Sequence, residues 1–222
     1  GSSVVIGGET RVVTRGMCNG YPAKTVETTR LGGAASRETV YDDDAGQVPL
    51  VLAGRTASST VEDGLSTAYA DTLGTWNAET RTFAPGGVSA LRRVAMKTGP
   101  AGEAFDTFTV TVLDAAYGME LYRAEHLASD TAQAKPFEWR QSLYDYKNRL
   151  VSSIHSDGTF STNAYSCCRL LWSVERDGAK SVRSAKTGED HLYYAIEEPS
   201  LSGLPGADGG FRVTQRFFDG LG

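Results

Sequence analysis

At 222 residues, with 40% hydrophobic and 22% charged residues, the chain is long enough to bury a core and ordinary in composition for a folded protein. A formal net charge of −5 leaves no basic excess to release counterions, which argues against non-specific binding to nucleic acid or to anionic membrane surfaces. No apolar stretch approaches the roughly 20 residues that span a bilayer as a helix, and 25 glycines suit a chain full of tight turns.

Gly1-Ser2-Ser3 lacks the charged start and apolar run of a secretory leader and, without a Met, reads as the beginning of an excised piece of a longer polypeptide. Segments 4–6, 10–14, 24–30 and 37–41 are short, rich in Val and Thr and separated by Gly-containing turns, which predicts strands. Residues 81–87 (RTFAPGG) read as a loop. In 88–97, Val88, Leu91, Val94 and Ala95 fall at helical spacing, while Val94-Ala95-Met96 fits a strand equally well. TGPAG at 98–102 is the strongest break and divides a region 1–98 with degenerate repeats from a region 99–222, unless the two form one continuous domain. Phe108, Val110 and Val112 alternate with Thr107, Thr109 and Thr111, so 104–113 is a strand, with 119–127 able to return beside it. A polar linker follows at 128–136, and strands are expected at 191–197 and 211–218 on either side of a Gly/Pro/Ser loop. The fold class is therefore all-β: repeated antiparallel β-hairpins forming a twisted sheet or an incomplete barrel or shell.

The stretch 143–178 carries the most pattern. Tyr144-Asp145-Tyr146-Lys147-Asn148-Arg149-Leu150 has the shape YDxx(G/N)RL. An Asp opening a tight turn can accept from the N–H two residues on. Three residues later the chain needs a positive φ, which Gly adopts freely and Asn tolerates, and here Asn148 stands in that place. Asp157-Gly158 marks a second turn, Tyr165-Ser166-Cys167-Cys168-Arg169-Leu170 a degraded copy of the first unit, and Asp177-Gly178 a further turn. Partial copies are predicted at Tyr41–Gly46, at Asp71–Gly74 before Trp76, at Asp114–Gly118 and at Asp219–Gly222. Asp63-Gly64 preceding Tyr69 and Trp76 also aligns with Asp157-Gly158 preceding Tyr165 and Trp172. Such internal repeats imply one small supersecondary unit stacked on its neighbours.

These units resemble the YD repeats of the Rhs and YD-repeat family, which includes bacterial Rhs proteins, Tc toxin shells and teneurins. The resemblance is carried by 144–150 with partial support elsewhere, and 1–39 holds no clear copy. It implies hairpins spiralling into a sheet that can close as a shell, within a large secreted or cell-surface protein whose remainder is the natural partner. Some Rhs relatives cleave themselves at an aspartyl site near the end of the shell, and no matching site occurs in this sequence.

Other chemistry is thinly represented. His126, His155 and His191 are far apart, and GxSxG, HExxH and phosphate-cradling Gly loops are missing. Asp42-Asp43-Asp44 lacks the alternating ligands and distant Glu of a calcium loop, and Glu197-Glu198 face apart on a strand. No cofactor, metal or catalytic residue is expected. Cys167 or Cys168 can reach Cys18 as a disulfide, or all three remain thiols. Trp76, Trp139 and Trp172 sit on predicted strands with several tyrosines. Packing between repeats is their plain role, and stacking on a ligand is the alternative. Two functions are expected from this sequence: a non-catalytic structural module of a YD-repeat-like shell or stalk, or an extracellular module recognising a glycan or protein through exposed aromatics.

Overall fold

A computed structural model of the chain describes residues 2–6, 8–33, 35–42, 46–129, 135–167, 169–176 and 178, and the backbone of 180–187, 192–199 and 211–217. Every regular element among them is a β-strand, and the chain divides into two compact units, Gly1–Trp139 and Arg140–Gly222.

The first ten strands are β1 (Ser2–Ile6), β2 (Glu9–Cys18), β3 (Tyr21–Arg30), β4 (Ala35–Tyr41), β5 (Thr56–Thr60), β6 (Ser66–Asn77), β7 (Thr82–Pro85), β8 (Ala90–Thr98), β9 (Ala104–Asp114) and β10 (Glu120–Leu127). Each pairs antiparallel with its neighbour in sequence, except that β6 takes β8 along 66–74 and β7 along 74–77. The remaining strands are β11 (Glu138–Tyr144), β12 (Leu150–His155), β13 (Phe160–Tyr165), β14 (Leu170–Val174), β15 (Lys180–Thr187), β16 (Leu192–Pro199) and β17 (Phe211–Phe217). They form a simple antiparallel run of hairpins. The all-β expectation holds.

One turn recurs in both units. At 61–65, 99–103, 145–149 and 155–159, the first N–H donates to the fifth carbonyl and the fourth N–H donates to the first carbonyl. The fourth residue is left-handed each time, with φ of 85° at Gly64 and Gly102, 60° at Asn148 and 81° at Gly158. A type I turn closed by a left-handed residue matches the twist of paired strands, which is why this form is reused.

The core of the first unit lies on both faces of β8 and β9. Leu91 and Leu113, paired in register, pack with Tyr41, Ala57 and the loop residues Val48, Val51 and Leu52. Their neighbours point the other way, so Ala90, Val112, Tyr122 and Ala124 form a second cluster with Trp76, Phe83 and Trp139 against it.

Several sequence expectations are corrected. Of the two readings of 88–97 the strand is the one found, as β8 over Ala90–Thr98, because its backbone is hydrogen-bonded on both sides and helical spacing carries no weight there. Segment 81–87 contains strand β7, held to β6 by Trp76 opposite Phe83. Gly99–Gly102 of TGPAG, with Glu103, forms a hairpin turn between β8 and β9, inside the first unit. Asp71 and Gly74 make no turn, since both lie inside β6. For the same reason Tyr69 and Trp76 share one strand, whereas Tyr165 and Trp172 sit on successive strands, and the second repeat alignment has no structural counterpart. The partial unit at Asp114 does turn: Asp114 Oδ1 accepts from the N–H groups of Ala116 at 3.0 Å and Tyr117 at 2.7 Å, and Gly118 takes φ 70°. Asp43, Asp44, Cys168, Asp177, His191, Asp219 and Gly222 lie outside the described residues.

Asp71 stays in the strand because a partner faces it directly. Arg93 is its register partner, donating from Nε to Oδ1 at 2.9 Å and from Nη2 to Oδ2 at 3.2 Å. The Asp71 side chain is 0% exposed and that of Arg93 14%. Tyr41 donates its hydroxyl to Asp71 Oδ2 at 2.8 Å and accepts from Asn19 Nδ2 at 2.7 Å. Arg93 also donates to the Thr56 carbonyl and lies over the Tyr69 ring at 4.2 Å. Burial pushes the Tyr41 phenol well above its ordinary pKa, and the neighbouring Asp71 charge adds to the shift. Replacing Asp71 by Ala strands the Arg93 charge and the Tyr41 hydroxyl, with an expected cost of about 3–5 kcal/mol in urea unfolding. A loss below about 1 kcal/mol would show that the network does not hold β4 to β6 and β8.

Gly74 is required for a different reason. A Cβ there would lie 2.2 Å from the Ala84 carbonyl oxygen and 2.5 Å from the Phe83 ring. At Gly16, inside β2, a Cβ meets nothing within 4 Å. Gly74→Ala is expected to destabilise by about 1–3 kcal/mol as β7 is forced off β6. By contrast, Gly16→Ala should be neutral or stabilising by up to about 1 kcal/mol. Equal effects in thermal melts would refute the close approach at Gly74.

Candidate functional site

The YD unit in the second unit is built on Asp145. Its Oδ1 accepts from the backbone N–H of Lys147 at 2.9 Å and of Arg149 at 3.0 Å, while Oδ2 accepts from Arg149 Nε at 2.8 Å and Nη2 at 2.6 Å. One carboxylate thus folds the turn and grips the guanidinium. Asn148 supplies the left-handed residue, and Tyr144 pairs with Leu150 across the strand ends. The free edge of Arg149 then reaches the next hairpin, donating from Nη1 to the carbonyls of Ser166 at 2.8 Å and Cys167 at 3.1 Å. Its guanidinium lies 4.5 Å from the centroid of the Tyr165 ring, whose hydroxyl returns a hydrogen bond to the Leu150 carbonyl at 2.9 Å.

The opposite strand ends repeat the device with other residues. Asp157 Oδ1 accepts from the Thr159 N–H at 3.0 Å, and Arg176, two turns further along the chain, donates to Asp157 Oδ2 at 2.5 Å and to Thr159 Oγ1 at 2.9 Å. Among the described residues, two pairs of alternate turns are thereby tied by an arginine, one pair at each end of the strands.

Arg149 holds the Asp145 carboxyl below its ordinary pKa, first through the donated side-chain bond. Thr159, and then Arg176, depress that of Asp157 further. A carboxyl whose folded pKa lies below its unfolded value stabilises the fold above the unfolded value of about 4, and that contribution is lost as pH falls through the depressed folded value. Carboxyl 13C titration should therefore find both groups still ionised at a pH where free Asp is half protonated. Arg149→Ala should return Asp145 alone toward the ordinary value, and an unchanged Asp145 would disprove the assigned cause.

Of the three tryptophans, Trp76 and Trp139 meet in the first unit, on either side of Tyr122. Trp76 and Tyr122 have ring centroids 4.9 Å apart, and Tyr122 and Trp139 6.2 Å. Trp172 belongs to the second unit, half-buried on β14 opposite Ala164 and Val182. The aromatic row borders a groove of about 430 Å³, within the roughly 300–1,000 Å³ usual for ligand sites.

The groove is lined by Trp76, Phe83 and Tyr122 and by the cations Arg81, Arg92 and Lys135; among the described residues lining it there is no carboxylate. Arg92 rises from β8 beside Val112 and Tyr122, and burial pushes its pKa down. Arg81 closes the β6–β7 hairpin in a left-handed conformation, φ 54°, and lies 4.3 Å from the centroid of the Trp139 ring. That conformation is uncommon for a non-glycine residue. Asn77 supports the turn by accepting from the N–H groups of Glu79 at 2.9 Å and Thr80 at 3.1 Å. His126, 4% exposed, stacks on its register partner Phe108 at 4.9 Å at the far side of the groove.

Sequence reasoning singled out Trp76 and Trp139 but missed Tyr122, Arg81 and Arg92. Period-two alternation in β8 carried one signal, since adjacent Arg92 and Arg93 must face opposite sides. The pair is indeed divided, Arg92 to the groove and Arg93 to Asp71. Nothing in the local sequence marks Arg81 as a neighbour of Trp139.

Cys18 and Cys167 are not joined in a disulfide. Burial raises the Cys18 pKa, with the Asp71 charge adding to it. Compared with protein-family models and with curated proteins, the chain matches none.

Proposed function

We propose that this chain is a non-catalytic structural module, a section of a β-hairpin-repeat shell or stalk in a larger secreted or cell-surface protein. The observation that supports it most directly is the double use of Arg149. It completes the turn of its own hairpin through Asp145 and satisfies two turn carbonyls of the next. A side chain with that double role couples successive hairpins, which is what a stack of repeats stabilised by nearest-neighbour interfaces needs. The YD-repeat resemblance, the location and the dependence on the rest of a longer polypeptide belong to the same proposal.

A second reading has its own support. The aromatic row with three cations around an open groove is a recognition surface in composition, with Tyr, Trp and Arg as anchors. The two readings are compatible, since a scaffold can carry a binding face.

Hydrogen–deuterium exchange on the whole chain tests the scaffold proposal. Arg149→Ala should accelerate exchange together at the turns 145–149 and 166–169 while leaving the β8–β9 ladder unchanged. Acceleration confined to 145–149 would mean that the hairpins are not energetically coupled and would remove the main support for a repeat scaffold.

A further inference from the structure

We propose that the groove between Trp76, Tyr122 and Arg92 binds a carboxylate-bearing sugar segment, an acidic glycan held by aromatic stacking and guanidinium pairing. The proposal rests on the recognition reading and names the ligand class of that site.

Charge sets the first requirement. Three cations converge on the groove with no carboxylate on its described lining, in a chain whose formal net charge is −5. Arg92 has no hydrogen-bond or ion-pair partner among the described residues, in contrast to Arg93 beside it, whose charge is fully answered by Asp71. A guanidinium taken partly out of water without a counter-charge carries a desolvation cost that a ligand carboxylate offsets on binding. The planar fork of arginine matches that carboxylate in two parallel hydrogen bonds.

Shape sets the second. The three rings are packed on one another, Trp76 against Tyr122 at 4.9 Å and 33° and Tyr122 against Trp139 at 6.2 Å and 26°, and Arg81 lies over Trp139, so the indole that lines the groove is Trp76. A single indole at the groove takes the C–H face of one pyranose ring, beside the guanidinium that pairs its carboxylate. Trp76 keeps part of its surface in water, while Tyr122 is only 8% exposed and serves as the packed support between the two indoles. A nucleic acid strand would also stack on such rings, but it needs basic residues along an extended track. Three cations confined to one groove on an acidic chain do not make one.

The test uses the intact chain and three short probes: a galacturonate trimer, a hyaluronan tetrasaccharide and sialyllactose. Each is paired with its carboxyl-reduced neutral form, and AMP serves as the stacking anion without a sugar carboxylate. Titration calorimetry and Trp fluorescence should show at least one acidic saccharide binding saturably, at least about tenfold tighter than its neutral form, as expected for loss of a charged hydrogen bond. Arg92→Gln should remove that tenfold preference. Lys135→Gln, at an exposed position where folding is not at risk, should weaken binding two- to threefold, by roughly the worth of one exposed charge, and reduce its salt dependence. Arg123→Gln, on the other face of the sheet, should leave binding unchanged.

Equal binding of acidic and neutral forms would overturn the acidic class while leaving glycan recognition standing. Tighter binding of AMP than of any saccharide would overturn the glycan assignment. No binding of any probe, with Trp emission unresponsive, would overturn the proposal together with the recognition reading, and leave the scaffold proposal untouched.

Discussion

A carboxylate with no exposure to water must be answered within the protein, and in the first unit that constraint falls on Asp71. Its position in β6 places Arg93 of β8 directly across the ladder and Tyr41 of β4 within reach, so one buried charge ties three strands. Arg93 extends the tie to the carbonyl of Thr56 at the start of β5. Hydrophobic packing alone would tolerate sliding of these strands, whereas a carboxylate, a guanidinium and a phenol that satisfy one another admit one register. The core of Leu91, Leu113, Leu52 and Tyr41 forms around that register.

Fixing β8 on this face also fixes the other. Because strand side chains alternate, holding Arg93 inward on Asp71 turns Arg92 outward beside Val112 and Tyr122. The groove is therefore a consequence of the buried ion pair as much as of its own aromatics. Gly74 contributes from β6, the strand of Asp71, by letting the Phe83 ring and the Ala84 carbonyl approach to within van der Waals distance of its backbone, which seats β7 and carries Arg81 toward Trp139.

The second unit solves the same problem of unpaired polar groups by another route. Its hairpins leave carbonyls at the strand ends, and arginines from neighbouring turns satisfy them or the turn aspartates. An exposed ion pair is worth little by itself, but one that also completes a turn has geometric value. The two units therefore use Asp–Arg pairs in opposite ways. In the first the pair is buried and joins strands across a ladder; in the second it lies near the surface and joins turns.

Local chemistry was legible in the chain itself. The Asp145-x-x-Asn148-Arg149 unit, the Asp157-Gly158 turn and the Val/Thr alternation of β9 carry their instructions within a few residues, because a turn is closed by its own side chains and a strand by its own period. All-β architecture followed from those elements. What only the tertiary structure decided was the meaning of residues whose partners are distant in sequence. Asp71 and Gly74 have the composition of a turn and lie in a strand, since Arg93, 22 residues on, answers the carboxylate better than its own backbone can. Trp76 and Tyr122 come from β6 and β10, brought within reach by β6, β8, β9 and β10 pairing in order, and Trp139 from β11 stacks on Tyr122. No local spacing encodes that adjacency, because register between strands is set by the packing and charge satisfaction of the whole ladder.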